Sequence, residues 1–236
     1  MNGYKAVLFD VGGVLVPSPL VIMNVQEELI GLPKGFITSA IASVKEIRDL
    51  WSRWECNKIE YSEFCNKMDY EFTKHIQTTL ATEQKAQLKK SFEMRKLVEG
   101  LEVFDHSQIN NKLIKCAELL RERGLKVCII SNNWYSDVQN STFDNLFESF
   151  KTQFDHIIES RLLGLNKPHP KIYEEALRLL GDGIKPKECI FLDDLGPNLK
   201  AAKRLGIFTI KVLNEDQAIK DLEDALGFKL APSSKL

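Results

Sequence analysis

The stretch YKAVLFDVGGVLV, residues 4–16, decides the fold of this chain. It begins with an apolar run, residues 6–9, of the kind that fills a buried parallel strand. The run stops at Asp10, and Gly12 and Gly13 follow before apolar residues resume. Open α/β sheets bind ligands at the carboxyl ends of their strands, so Asp10 lies where a functional carboxylate is expected. The alternative is an aspartate that only caps the turn.

Size and composition limit the classes of protein to which the chain can belong. Its 236 residues suffice for one large domain or for a core with an inserted subdomain. The formal net charge of −1 argues against broad electrostatic binding to nucleic acid or anionic membrane. We expect no signal peptide and no membrane span, because the first strand begins almost at once and the apolar runs are short. Five cysteines without a CxxC pair predict free thiols and a reducing compartment.

Two regions of the chain differ in their apolar periodicity. Residues 18–99 show helical spacing throughout, and Ser18 followed by Pro19 predicts the cap and first position of the first helix. After this region helices alternate with short strands, which predicts a parallel sheet covered by helices on both faces. The sequence therefore predicts a doubly wound, Rossmann-like α/β core formed by residues 1–17 and 100–236, with residues 18–99 inserted as a helical cap domain.

Four further strands and the helices beside them follow from apolar runs and turn signals. The strands are predicted at 126–130, 154–158, 188–192 and 207–212, and the helices at 136–150, 170–180, 197–205 and 215–226.

Polar side chains follow three of the five predicted strands. Asp10 follows the first strand, Ser131–Asn132 the second and Asp193–Asp194 the fourth. Lys167 lies in the loop after the third strand, and the prolines beside it make that loop stiff. Because parallel strands end at the same edge of a sheet, we expect carboxylates, a hydroxyl group and an amide to meet there.

This set of side chains suits a metal ion and a phosphoryl group. Asp10 and Asp194 offer the oxygen ligands that Mg²⁺ prefers, and a cation is needed because converging carboxylates repel one another. Lys167 adds a second positive charge, and Ser131 with nearby backbone N–H groups can bind anionic oxygens. The chemistry indicated is phosphoryl transfer with Asp10 as covalent nucleophile. Each residue taken singly has a structural alternative, as a cap or a surface charge, but four such coincidences in chain order favour a site.

Four short motifs of the chain resemble those of the haloacid dehalogenase-like hydrolase superfamily. The motifs are Phe9–Val14, Ser131–Asn132, Lys167–Pro168 and Asp193–Asn198. The chain is most similar to the N-terminal phosphatase domain of soluble epoxide hydrolase and to the related domain of acyl-CoA dehydrogenase family members ten and eleven. This similarity extends through most of the chain after about Leu125.

The resemblance implies a magnesium site. Asp10 would be both nucleophile and Mg²⁺ ligand, and the carbonyl group of Gly12 and the side chain of Asp194 would complete the protein's share of the metal shell. Asp193 and Asn198 would support these ligands.

The resemblance also implies how a substrate is held. Ser131, Asn132 and Lys167 would bind the phosphoryl group, and Ser131 and Lys167 would thereby take part in catalysis. The helical insert would cover the site and select the substrate, a small-molecule or lipid phosphate monoester.

One departure from the family pattern concerns proton transfer. The family's phosphatases usually carry a second aspartate two residues after the nucleophile, which protonates the leaving group and then activates water. Gly12 stands at this position, and such general acid–base catalysis is worth about 10²–10⁴-fold in rate. Two alternatives follow: a slow phosphatase, or a catalytically inactive phosphate-binding or regulatory protein. Dehalogenation without a metal is disfavoured, because Asp193–Asp194 would then repel an anionic substrate.

The last three residues, Ser234–Leu236, match a peroxisomal import signal. Residues 231–233 before them are typical of an exposed tail, and a polar tail without a targeting role is the alternative. We expect a peroxisomal location through the import receptor, and a cytoplasmic one otherwise.

A fusion with a fluorescent reporter before the first residue tests this expectation. The fusion should accumulate in peroxisomes, and deletion of Leu236 should leave it in the cytosol, because the receptor reads a terminal tripeptide. A diffuse signal from the intact fusion, in cells that import a control cargo, would contradict the expectation.

Overall fold

A computed structural model of the chain describes residues 3–139, 141–181 and 183–230. Ser234–Leu236, on which the targeting expectation rests, lie outside the described residues.

A five-stranded sheet forms the centre of the fold. Its strands are β1 (Ala6–Phe9), β2 (Lys126–Ser131), β3 (His156–Glu159), β4 (Cys189–Asp193) and β5 (Phe208–Lys211). They lie in the order β3-β2-β1-β4-β5, and every neighbouring pair is parallel. The predicted doubly wound α/β fold is confirmed.

The inner strands β1, β2 and β4 are buried on both faces, which explains why they read as largely continuous apolar runs. Successive side chains of a strand point to opposite faces. Val7 and Phe9 of β1 belong to one hydrophobic cluster, whereas Ala6 and Leu8 belong to another on the opposite face. An alternating polar pattern, typical of a sheet with one solvent-exposed face, is therefore missing from β1.

Twelve α-helices occur in the described part of the chain. They are α1 (Pro19–Ile30), α2 (Phe36–Ser43), α3 (Lys45–Glu55), α4 (Tyr61–Thr79), α5 (Thr82–Lys85), α6 (Met94–Glu102), α7 (Asn111–Glu122), α8 (Thr142–Gln153), α9 (Ser160–Leu163), α10 (Pro170–Leu180), α11 (Gly196–Arg204) and α12 (Glu215–Leu226). The predicted bounds of α10 and α12 are confirmed. The predicted start of α1 is also confirmed, since the Ser18 side chain accepts a hydrogen bond from the Leu20 N–H group at 3.4 Å.

The helix predicted at residues 136–150 is wrong at its N-terminal end, because α8 begins at Thr142. The preceding segment is instead held by contacts with distant helices. The Trp134 indole and the Ser136 hydroxyl donate hydrogen bonds to Glu102, and the Trp54 indole donates to the Tyr135 carbonyl. These tertiary contacts outweigh the local preference for a helix.

The helices α1–α4 and α6 share a hydrophobic cluster of their own. At its centre the rings of Trp54 and Phe64 stack with centroids 4.2 Å apart. Trp134, from the segment after β2, stacks on Trp54 at 4.5 Å and joins this cluster to the region of the sheet. Gly100, near the predicted boundary between cap and core, lies inside α6, and the division at residues 18–99 stays a prediction.

The free thiols predicted from the cysteine spacing are confirmed. All five cysteines are free and buried. Among the helices of the described residues, none combines the length and the apolar character that crossing a membrane requires.

Candidate active site

The carboxyl ends of three neighbouring strands carry the predicted site. Asp10 follows β1, Ser131 ends β2 and Asp193 ends β4, so the sheet order brings these three residues side by side. The chain winds from β1 toward β2 and β3 on one side and returns to β4 and β5 on the other. Ligands bind in open sheets at such a reversal of strand order.

Lys167 joins two of the strand ends by buried ion pairs. Its Nζ atom lies 2.7 Å from Asp10 Oδ1 and 3.0 Å from Asp193 Oδ2. Burial opposes the charge on Lys167, but the two carboxylates outweigh it and raise the pKa of the ammonium group. Burial raises the pKa of Asp10, while the positive charge of Lys167 acts in the opposite direction. The lysine therefore favours the ionised form of Asp10.

Asp193 is occupied by protein partners. The Asn198 side-chain amide donates to both of its carboxylate oxygens, at 3.1 and 3.0 Å, and the Leu195 N–H group donates to Oδ1 at 2.7 Å. With Lys167 these contacts satisfy a carboxylate that has no solvent exposure. The supporting role of Asp193 and Asn198 in the site stays a prediction.

Asp194 completes a group of three carboxylates. Oxygen atoms of Asp10, Asp193 and Asp194 lie within 4.8 Å of one another, and the Ser18 hydroxyl donates to Asp194 Oδ2 at 2.8 Å. Burial raises the pKa of Asp194, since ionisation there is costly without a cation. One ammonium group faces three carboxylates, so the donor set fits a divalent cation.

Gly13 is required beside Asp194. Its φ of +72° is in the left-handed region, and a Cβ atom at this position would lie 2.2 Å from Asp194 Oδ2. The carboxylate therefore packs against bare backbone. From the sequence Gly13 could be assigned only a turn.

Gly12 differs from Gly13. It has no positive φ, but a Cβ atom there would lie 3.0 Å from Cδ of Pro19, at the start of α1. Helix α1 thus stands over the position where the family's phosphatases carry an aspartate. Metal binding by the Gly12 carbonyl group stays a prediction.

Asn132 is turned toward the backbone of Lys167. Its Oδ1 atom accepts from the Lys167 N–H group at 2.8 Å, and its Nδ2 atom donates to the Lys167 carbonyl at 3.0 Å. This pair of bonds fixes the lysine's backbone. Direct binding of phosphate by Asn132 stays a prediction.

Ser131 and Gly12 line a cavity of about 90 Å³. Its opposite wall is apolar and comes from the helical region, with Ile22 of α1 and Leu101 of α6 among the contributors.

Two residues in the surroundings of the site escaped the sequence analysis. Ser18 was assigned only a capping role, and Glu55 was not singled out at all. Glu55 is buried and accepts hydrogen bonds from the side chains of Asn132, at 3.1 Å, and Asn166, at 2.6 Å. Burial raises its pKa to about 7.

Comparison with known proteins agrees with the predicted resemblance. A sequence model of haloacid dehalogenase-like hydrolases matches residues 4–206. Bifunctional epoxide hydrolase 2 of Sus scrofa is 30% identical over 234 residues, which cover 98% of this chain and 40% of that protein. Acyl-CoA dehydrogenase family member 10 of Mus musculus is 32% identical over 229 residues, which cover 97% of this chain and 20% of that protein. The chain thus spans less than half the length of these relatives.

Two further matches are one shorter relative and one solved structure. Glyceraldehyde 3-phosphate phosphatase of Methanopyrus kandleri is 32% identical over 116 residues, or 47% of each chain. A HAD family enzyme of Bacteroides thetaiotaomicron, solved in complex with magnesium and inorganic phosphate, superposes with a TM-score of 0.56. The match covers 90% of this chain and 96% of that one at 20% identity, which shows the shared fold.

The charge imbalance of the three carboxylates predicts that Mg²⁺ stabilises the protein. At about 100 times Kd the gain is about 2.7 kcal/mol, or a rise in Tm of roughly 5–10 °C for a chain of this size. Asp194→Asn should remove most of this rise and should increase Tm without metal, because the cost of a partly buried charge is gone. Thermal denaturation with and without Mg²⁺ measures both effects.

The matched control is Asp49→Asn, which changes an exposed aspartate of α3 and should keep the full rise. An undiminished rise in the Asp194→Asn protein would exclude Asp194 as a ligand.

Proposed function

This chain belongs to the haloacid dehalogenase-like hydrolase family, and we propose that it is a Mg²⁺-dependent phosphatase-like hydrolase of small or lipid phosphate monoesters. The observation that carries the proposal is the buried Asp10 at the end of the central strand, 2.7 Å from the ammonium group of Lys167. A nucleophilic carboxylate must be ionised, and the lysine favours that state. The phosphatase relative and the solved complex with magnesium and phosphate support the same chemistry.

In the proposed reaction an oxygen of Asp10 forms a bond to phosphorus while the ester P–O bond breaks. The electron pair of that bond leaves with the ester oxygen, which takes up a proton. Water then hydrolyses the acyl phosphate and restores Asp10. A Mg²⁺ ion bound by Asp10, Asp194 and the Gly12 carbonyl group would neutralise charge on the phosphoryl oxygens.

Ser131 and Lys167 would hold the phosphoryl oxygens during this reaction. Ser131 lines the cavity beside Gly12, and the Lys167 ammonium group lies 2.7 Å from Asp10 Oδ1. The apolar wall of the cavity suits an ester with an apolar leaving group. The proposal also assigns residues 18–99 as the cap that selects the substrate. It assigns the peroxisome as the compartment in which the protein acts.

The second candidate function is a phosphate-binding or regulatory protein without catalysis. The observation that favours it is the start of α1, because Pro19 lies close to the place where an acid–base side chain of residue 12 would project. Such a protein would keep the ion pairs of Lys167 and the cluster of three carboxylates.

Leaving-group dependence separates the two functions. Without an acid at residue 12, esters of acidic phenols should be cleaved far faster than alkyl phosphates, since a phenolate leaves without a proton. Gly12→Asp should raise the rate for alkyl esters by about 10²–10⁴-fold and that for aryl esters less. Steady-state rates with matched aryl and alkyl phosphates, in Mg²⁺, measure the effect.

Two control variants separate acid catalysis from the close approach of Pro19. Gly12→Ala measures the cost of a Cβ atom, and Gly12→Asn adds the shape of aspartate without its proton. If Gly12→Asp is folded and binds Mg²⁺, yet it and its parent are inactive on every ester, the binding protein is favoured. Ordinary rates of the parent on alkyl phosphates would show that another group carries the proton.

A further inference from the structure

The C-terminal end of α3 is hydrogen-bonded to the loop before α10 and to the start of α9. The Asn166 side-chain amide donates to the Ser52 hydroxyl oxygen at 3.1 Å. The Ser160 hydroxyl donates to the Glu55 carbonyl oxygen at 2.6 Å. These bonds link residues more than 100 positions apart in the sequence, so they depend on how the helical region is seated on the sheet.

The Glu55 carboxylate lies at the centre of this contact. Its Oε2 atom accepts from Asn132 Nδ2 at 3.1 Å and from Asn166 Nδ2 at 2.6 Å. Its Oε1 atom accepts from the Trp51 indole at 2.9 Å. Three neutral N–H groups thus hold a buried carboxylate, and two of them come from loops that flank the active site.

A short path leads from Glu55 to the ion pairs of Lys167. The Asn132 amide that donates to Glu55 also holds both the N–H and the carbonyl group of Lys167. The Lys167 side chain ends between Asp10 and Asp193. Rotation of the Asn132 amide would therefore loosen the backbone from which the ammonium group extends.

We propose that Glu55 is a positioning residue of the active site, which fixes the Asn132 amide from the helical region and through it the backbone of Lys167. The proposal rests on the proposed function for the role of Lys167 in binding a phosphoryl group. Other residues line the cavity beside Gly12, so Glu55 acts through Asn132 without touching the substrate.

The ionisation of Glu55 makes this role measurable. Burial raises its pKa to about 7, although the donors Asn166, Trp51 and Asn132 and the charge of Lys167 act in the opposite direction. Below this pH the carboxyl group carries a proton that faces N–H donors, and it accepts more weakly. The hold on Asn132 should then weaken.

The other titratable groups around Glu55 have distinct partners. Cys56 is next in the chain, and burial raises the pKa of its thiol. Arg161, on α9 against α3, pairs with Glu159 and Asp144. A transition that Glu55→Gln removes can therefore be assigned to Glu55.

The first readout is stability. The pKa of Glu55 is higher in the folded state than in the unfolded state. Between the two pKa values only the folded state keeps the proton, which stabilises the fold. This stabilisation is lost as the pH rises to about 7. Glu55→Gln keeps a neutral side chain throughout. The parent should therefore lose Tm relative to Glu55→Gln between about pH 5 and pH 7.5.

The second readout is catalysis of an aryl phosphate in Mg²⁺. At about pH 8, kcat of Glu55→Gln should fall by about 10- to 100-fold with KM nearly unchanged, as expected for a misplaced group. At about pH 6 the Glu55 carboxyl group of the parent is mostly protonated and neutral, like the glutamine, so the kcat values of the parent and of Glu55→Gln should converge. The matched control Ser52→Ala removes a hydroxyl that contacts Asn166 but keeps Glu55 and Asn132, and it should behave like the parent at both values.

The third readout needs no catalysis. In protein labelled with ¹⁵N-lysine and saturated with Mg²⁺, the backbone amide of Lys167, which donates to Asn132, should shift with a midpoint near pH 7. Glu55→Gln should abolish this transition.

The outcomes distinguish the two proposals. An inactive parent whose Lys167 amide titrates removes the proposed function and keeps Glu55 as the residue that positions Lys167. A kcat ratio that is independent of pH, an equal loss in Ser52→Ala, or a Lys167 amide that titrates alike in parent and Glu55→Gln would overturn the positioning role.

Discussion

The buried ion pairs of Lys167 with Asp10 and Asp193 are the constraint on which the rest of the structure depends. Removing one partner of such a group leaves an uncompensated buried charge, at a typical cost of about 3–5 kcal/mol. The lysine side chain is 1% exposed and that of Asp193 is fully buried, so water cannot replace either partner. The ends of β1 and β4 and the loop before α10 must therefore meet within hydrogen-bond distance. Asn132 supports this arrangement by binding the backbone of Lys167, and Asn198 supports it by donating to the Asp193 carboxylate.

Much of the fold could be predicted, because it depends on local start and stop signals of helices and on strands that are buried on both faces. Strand β1 reads as an apolar run since both of its faces are covered, and α10 and α12 carry their own start and stop signals in the sequence. The error in α8 has the opposite origin. The segment after β2 is held by Glu102 and Trp54, which lie far away in sequence, and periodicity contains no information about such partners.

The candidate site divides in the same way. Residues that directly follow parallel strands could be gathered from the sequence, because the sheet itself brings their positions together. Ser18 and Glu55 could not, since their contacts with Asp194 and Asn132 depend on how α1 and α3 are seated. Gly13 lies between these cases. The sequence shows that a glycine stands at this position. The reason for it appears only in the three-dimensional structure, where the Asp194 carboxylate packs against the Gly13 backbone.

The start of α1 couples two features of the site that the sequence presents separately. Pro19 stands 3.0 Å from the position that a Cβ atom of Gly12 would occupy, and the adjacent Ser18 donates to Asp194. Any movement of α1 that makes room above Gly12 therefore also strains or breaks the bond to Asp194. A carboxylate that loses this donor gains affinity for another positive partner. Pro19 and Ser18 thus link the space above Gly12 to the hydrogen bonding of Asp194. Under the proposed function, these two residues would tie the room for a substrate to the binding of a cation.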